Sequence, residues 1–181
     1  MTRVIKYINI IATIPMLIVA IIFSSQVSFG IPWMESAAPA TLQTLVLSLI
    51  VYFFPKKEVY LAILLFILLG VLGLPVFADG ACCMETMTGN SGGYIYGFFL
   101  AALILKSFFD QLKSSNSGKL LYILLYTLIV LLFGFIHLSF RIGMNSAFAY
   151  GILPFLPGAV AKILIAWSII AIFESILSPK P

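Results

Sequence analysis

The chain has 181 residues, of which 62% are hydrophobic and 9% charged, with a mean hydropathy of +1.18. A soluble domain of this length exposes much of its surface to water and carries about a quarter charged residues. A soluble enzyme, a secreted disulfide module and a disordered chain are therefore all excluded. The formal charge of +4 comes from ten basic and six acidic residues, which form no basic stripe, so a nucleic-acid partner is not indicated. What remains is an all-α integral membrane protein. At about 20 apolar residues per span, the length holds about six spans and no separate soluble domain.

The first apolar run covers residues 7–29, after Arg3 and Lys6. It exceeds the roughly 7–15 apolar residues of a signal-peptide core and lacks a small-x-small cleavage site, so it reads as a retained span. Within it Ala20, Ser24 and Ser28 fall at i, i+4 and i+8. Such a stripe of small residues serves either close docking of a partner helix or packing within the bundle. A Pro-rich loop around Trp33 follows. The second and third runs, 42–54 and 59–72, are short and are separated by the charged turn Pro55-Lys56-Lys57-Glu58.

Residues 73 to 93 read as the longest non-helical stretch, rich in Gly and containing Asp79, Glu85 and the adjacent pair Cys82 and Cys83. Adjacent cysteines rarely bridge, so this pair is expected to be two unreactive loop residues. The fourth run is 93–112 and the fifth 120–140. Residues 141–157 form a Gly/Pro-punctuated connection, and the last run is 158–177.

With the N-terminus inside, Arg3, Lys6, Lys56, Lys57, Lys106, Lys113, Lys119 and Lys180 fall on one side, and only Arg141 and Lys162 on the other. That bias places both termini in the cytoplasm of a cell-membrane protein. The three outer connections then lie at one end of the bundle, where they either roof a cavity or are simply wet loops.

Lys162 is the sharpest polar signal. A buried ammonium in a span faces an anion, a carbonyl or water, or else snorkels to the interface. Pro157-Gly158 suits a helix start, and the positive end of a helix favours anions. Together they describe a carboxylate site. Asp79 and Glu85 are either ligand acceptors or solvated charges. His137 reads as a packing residue. Tyr94, Tyr96, Phe98 and Phe99 either line a pocket for a ring or pack against neighbours. The sequence lacks a Walker A loop, H-E-x-x-H and G-x-S-x-G, so it is expected not to be an enzyme and to hold no metal or cofactor.

Four segments carry a resemblance. Pro39-Ala40-Thr41-Leu42-Gln43-Thr44, the run Gly70-Val71-Leu72-Gly73-Leu74-Pro75-Val76-Phe77-Ala78, the run from Gly89 to Phe98 containing Gly92-Gly93-Tyr94, and Leu153-Pro154-Phe155-Leu156-Pro157-Gly158-Ala159-Val160-Ala161-Lys162 are similar, in order, to the motifs of the BioY family. These are the biotin-specific substrate-binding subunits (S components) of energy-coupling-factor transporters. The resemblance implies an S-component-like bundle of six transmembrane helices with its pocket near the outer face. Such a subunit captures biotin and works with a transmembrane coupling protein and two ATPase subunits, which alone use ATP. Some members are thought to act alone as facilitators.

By resemblance Lys162 contacts the ligand, Gly92, Gly93 and Tyr94 lie near the pocket, and Ala20, Ser24 and Ser28 serve docking. Trp33 or Tyr94 would face the ligand's ring. The family's Asp in the last motif is Ala159 here, and Asn90 stands where the family has proline. Buried ring N–H groups need an acceptor, so Asp79 is expected to take over that role. A ligand tuned to another small carboxylate, such as a biotin precursor, is the alternative, and a structural subunit without ligand is a further one.

Overall fold

The computed structural model describes residues 2–29 and 35–177, with side chains described from residue 12 onward. Six helices fall on the expected apolar runs. They are α1 (Thr2–Gln26), α2 (Gln43–Phe53), α3 (Lys56–Val71), α5 (Gly92–Ile104), α6 (Asn116–Ile142) and α8 (Leu156–Leu177). By length and composition, three stretches are long and apolar enough to cross a membrane: Gly92–Ser114, Asn116–Ile142 and Met144–Leu177. Ala12–Gln26 and Gln43–Phe53 are shorter apolar helices.

Local chemistry sets the breaks. Pro55 has no N–H to continue α2 and instead caps α3. Gly73 turns the chain after α3 at φ +102°, and Gly143 does so after α6 at φ +85°, a region costly for side-chain-bearing residues. Ser115 Oγ accepts the Gly118 N–H at 3.1 Å and starts α6. Leucines 121, 124, 128 and 132 on α6 are exposed, whereas Tyr122, Tyr126 and Val130 are buried. An outward face of leucine is suited to lipid, which gives a span no reason to hide it.

The connections are more ordered than expected. Residues 73–93 contain a 3-10 turn (Ala78–Gly80) and a helix, α4 (Cys83–Thr88), and residues 141–157 contain α7 (Met144–Gly151). Neither helix has enough apolar repeats to show in a hydropathy pattern. A two-residue antiparallel ribbon pairs β1 (Ser28–Phe29) with β2 (Ala40–Thr41). The expected i, i+4, i+8 stripe is not formed, because α1 ends at Gln26 and Ser28 belongs to β1. Ser24 is buried and donates to the Ile21 carbonyl, and Ala20 packs partly buried against the core.

The adjacent cysteines also depart from expectation. Cys82 and Cys83 are joined as a disulfide. Cys83 adopts φ +72°, which reverses the chain locally and brings onto one side two side chains that extended backbone would point apart.

At the end of the bundle that holds Lys56, Lys113 and Lys119, charges tie the helices. Lys113 Nζ lies 2.7 Å from Asp110 and donates to the Tyr52 carbonyl at 2.8 Å. Tyr52 Oη donates to Glu174 at 2.6 Å, and Lys119 pairs with the same carboxylate. This network joins α2, α6 and α8 with the 3-10 turn that follows α5.

The tightest helix pair is α5 with α6. A Cβ on Gly93 would stand 2.4 Å from His137 Cβ and 2.6 Å from the Phe133 carbonyl oxygen. Gly93→Val should therefore overpack this seam and cost about 1–3 kcal/mol. Thermal unfolding in detergent measures it, and an unchanged melting temperature would show that the seam yields.

Candidate ligand-binding site

The described residues enclose a cavity of about 110 Å³ between α2, α5, α6 and α8, at the end opposite the charged network. It is roomier than a single water requires. Each wall follows from a short sequence signal. Phe77 enters because Gly70 leaves room for its ring: a Cβ there would lie 2.2 Å from Phe77 Cζ. The loop carrying Phe77 is fixed by the last turn of α1, where Ser25 Oγ donates to the Val76 carbonyl at 2.7 Å and Gln26 Nε2 to the Phe77 carbonyl at 2.9 Å. Tyr94 lies in a notch made by Gly134, donates from its hydroxyl to the Gly151 carbonyl at 2.7 Å and leans on Phe155 with ring centroids 5.4 Å apart. Phe77, Tyr94, Phe98 and Phe155 thus give the cavity an aromatic wall.

The polar corner forms where β2 runs into α2. Lys162, about two turns into α8, is 8% exposed and lines the cavity. Its Nζ donates to the Thr41 carbonyl at 3.1 Å and lies 5.4 Å from the centre of the Phe29 ring. The β1–β2 ribbon brings both partners to it. Among the described residues no acidic side chain pairs with Lys162, and none lines the cavity. The ammonium is thus held by a neutral carbonyl and a ring face, with donor capacity to spare. Ala159, one turn before Lys162, also lines the cavity, so its methyl stands where an acid would have balanced the charge.

The other expected site residues are placed as follows. Gly92 and Gly93 do not line the cavity. They let α5 approach the Met87 carbonyl and α6, and so position Tyr94 and Ser91, which do line it. Asp79 is exposed, and its carboxylate accepts from Ser28 Oγ at 2.6 Å; neither it nor the exposed Glu85 lines the cavity. Phe98 reaches the wall, whereas Tyr96 turns to His137 and Phe99 to Tyr60. Trp33 lies outside the described residues. His137 Nε2 is 2.9 Å from the Gly89 carbonyl and anchors the segment before α5 to α6.

Two features escape a reading of the sequence. Gln43 opens α2, is 4% exposed and lines the cavity, and its Nε2 is buried without a hydrogen-bond partner among the described residues. The sequence signal was its place in the segment Pro39-Ala40-Thr41-Leu42-Gln43-Thr44, which gave its side chain no role. Arg141 donates to Asn90 Oδ1 at 3.1 Å and to the Thr88 carbonyl. It therefore fastens the end of α4 to α6, and gives the residue in the proline position a partner.

Comparison with known proteins gives a consistent result. The BioY family model matches residues 1–178. A protein named probable biotin transporter BioY from Rickettsia prowazekii is 30% identical over 159 residues, covering 88% of this chain and 80% of that one. The biotin transporter BioY of Thermotoga maritima is 31% identical over 161 residues, 83% of this chain and 90% of the relative. The crystal structure of the S-component for biotin from an ECF-type ABC transporter superposes with a TM-score of 0.81. It has 22% identity and covers 94% of this chain and 93% of that one. At that identity the likeness establishes the fold: an all-helical, multi-pass membrane bundle.

The Tyr94 hydroxyl ties the cavity wall on α5 to the end of α7. Tyr94→Phe leaves the buried Gly151 carbonyl without that donor and should cost about 1–3 kcal/mol of stability. Differential scanning fluorimetry in detergent reads the loss, and a wild-type melting point would mean that another donor replaces it.

Proposed function

The chain belongs to the BioY family of transporters, which are not enzymes, and from that premise we propose that it captures biotin from the outer side of the cell membrane. It then delivers the vitamin inward with an energy-coupling module of one transmembrane protein and two ATPase subunits. The observation that carries this reading is Lys162: a buried ammonium at the wall of a cavity, with no counter-ion among the described residues.

A charge inside a bundle is costly unless it is paired. Here the pairing group is the ligand's own carboxylate, and a charge-assisted bond is among the stronger single contacts a small ligand makes. The fused ring of biotin has apolar faces that suit Phe77, Tyr94, Phe98 and Phe155. Thr86, Ser91 and Thr127 also line the cavity, and a hydroxyl oxygen is an acceptor suited to a ring N–H group. The bias of basic residues toward the end opposite the cavity supports cytoplasmic termini and an outward-facing site.

One observation favours a second reading. Ala159 leaves the cavity without an acidic acceptor, so a small carboxylate with fewer ring donors, such as a biotin precursor, would lose less on burial. Competition of biotin binding by such precursors separates the two.

Detergent-purified protein should bind labelled biotin. Lys162→Met should weaken binding by about 10- to 100-fold, the worth of one hydrogen bond to a charged group. Wild-type affinity in that variant would sink the assignment. Biotin uptake should disappear in cells lacking every energy-coupling ATPase, and persisting uptake would mark a facilitator that acts alone.

A further inference from the structure

The unpartnered amide of Gln43 deepens the proposed site and rests on that reading of the ligand as an acid. Buried side-chain nitrogens in native folds are almost always satisfied, and among the described residues Gln43 Nε2 is the exception. Its position is specific. The Gln43 backbone N–H bonds to Thr41 Oγ1 at 3.3 Å, and the Thr41 carbonyl holds Lys162 Nζ at 3.1 Å. Gln43, through its backbone, and Lys162, through its ammonium, are thus both bonded to Thr41, and all three residues line the same cavity. The corner also lies at the N-terminus of the 11-residue helix α2, where the helix dipole favours negative charge. A carboxylate has two oxygens and about four acceptor directions, enough to serve an ammonium and an amide together.

We infer that Gln43 is a specificity-determining residue whose amide N–H donates to the ligand's carboxylate beside Lys162. The ammonium is a point charge that accepts any anion. The amide fixes where the second oxygen must lie, so the pair selects a two-oxygen acid terminus over a single-oxygen one. A bound acid would then supply the partner that Gln43 Nε2 lacks among the described residues.

The test compares biotin with biotinol, in which the carboxylate is replaced by a primary alcohol, on purified wild type and Gln43→Leu. The variant should lose at least tenfold in affinity for biotin and much less for biotinol, so that the preference for the acid falls at least fivefold. Retained biotinol binding reports that the site has folded. If Gln43→Leu does not bind biotinol, Gln43→Met, which keeps the length of the side chain, carries the same comparison. Unchanged biotin affinity, or equal losses for the two ligands, would overturn the inference while leaving the function intact. Failure of the wild type to bind biotin would overturn both.

Discussion

The structure depends on how a positive charge is kept within a bundle whose other inward-facing groups are largely apolar. Lys162 cannot be surrounded by hydrocarbon alone, and no acid among the described residues pairs with it. The solution is geometric. A two-residue ribbon folds the chain between α1 and α2 back over α8, so that a backbone carbonyl and an aromatic face meet the ammonium. That arrangement leaves the ammonium with donor capacity facing the cavity wall.

Around that point the protein is built by subtraction. Glycines at 70, 93 and 134 are spaces in which Phe77, the backbone of α6 and Tyr94 take their places. Each ring reaches the cavity because a side chain is absent elsewhere. The aromatic wall is therefore as much a property of the glycines as of the aromatics. Close backbone approach between α5 and α6 is the usual means by which helices associate in lipid, where the hydrophobic effect between them is absent.

The fold class and the family were legible in the sequence because a membrane helix is a long, uninterrupted signal and the motifs keep their order. Lys162 was legible for the same reason, as a charge where charges are expensive. The connections were not. Helices such as α4 and α7 owe their form to tertiary fastenings, for example Arg141 on the Thr88 carbonyl and His137 on the Gly89 carbonyl, and those fastenings come from residues about fifty positions away. The glycine pair that the resemblance placed near the pocket packs in the α5–α6 seam, next to the cavity-lining Ser91 and Tyr94. Asp79 looked like a candidate acceptor because it is charged and near the motifs, but distance from the cavity cannot be read from adjacency in sequence. Gln43 stood within a family-like segment, but nothing in that segment announces that its amide will be buried without a partner among the described residues.

The two ends of the bundle are fastened by different kinds of force. At one end Lys113, Asp110, Tyr52, Glu174 and Lys119 knit α2, α6 and α8 through charge. At the other, the ribbon, α4 and α7 are joined mainly by neutral hydrogen bonds and ring contacts. Removing charge at the first end would therefore loosen three helices at once, whereas the end that holds the cavity is secured by many weaker contacts, no one of which decides its shape.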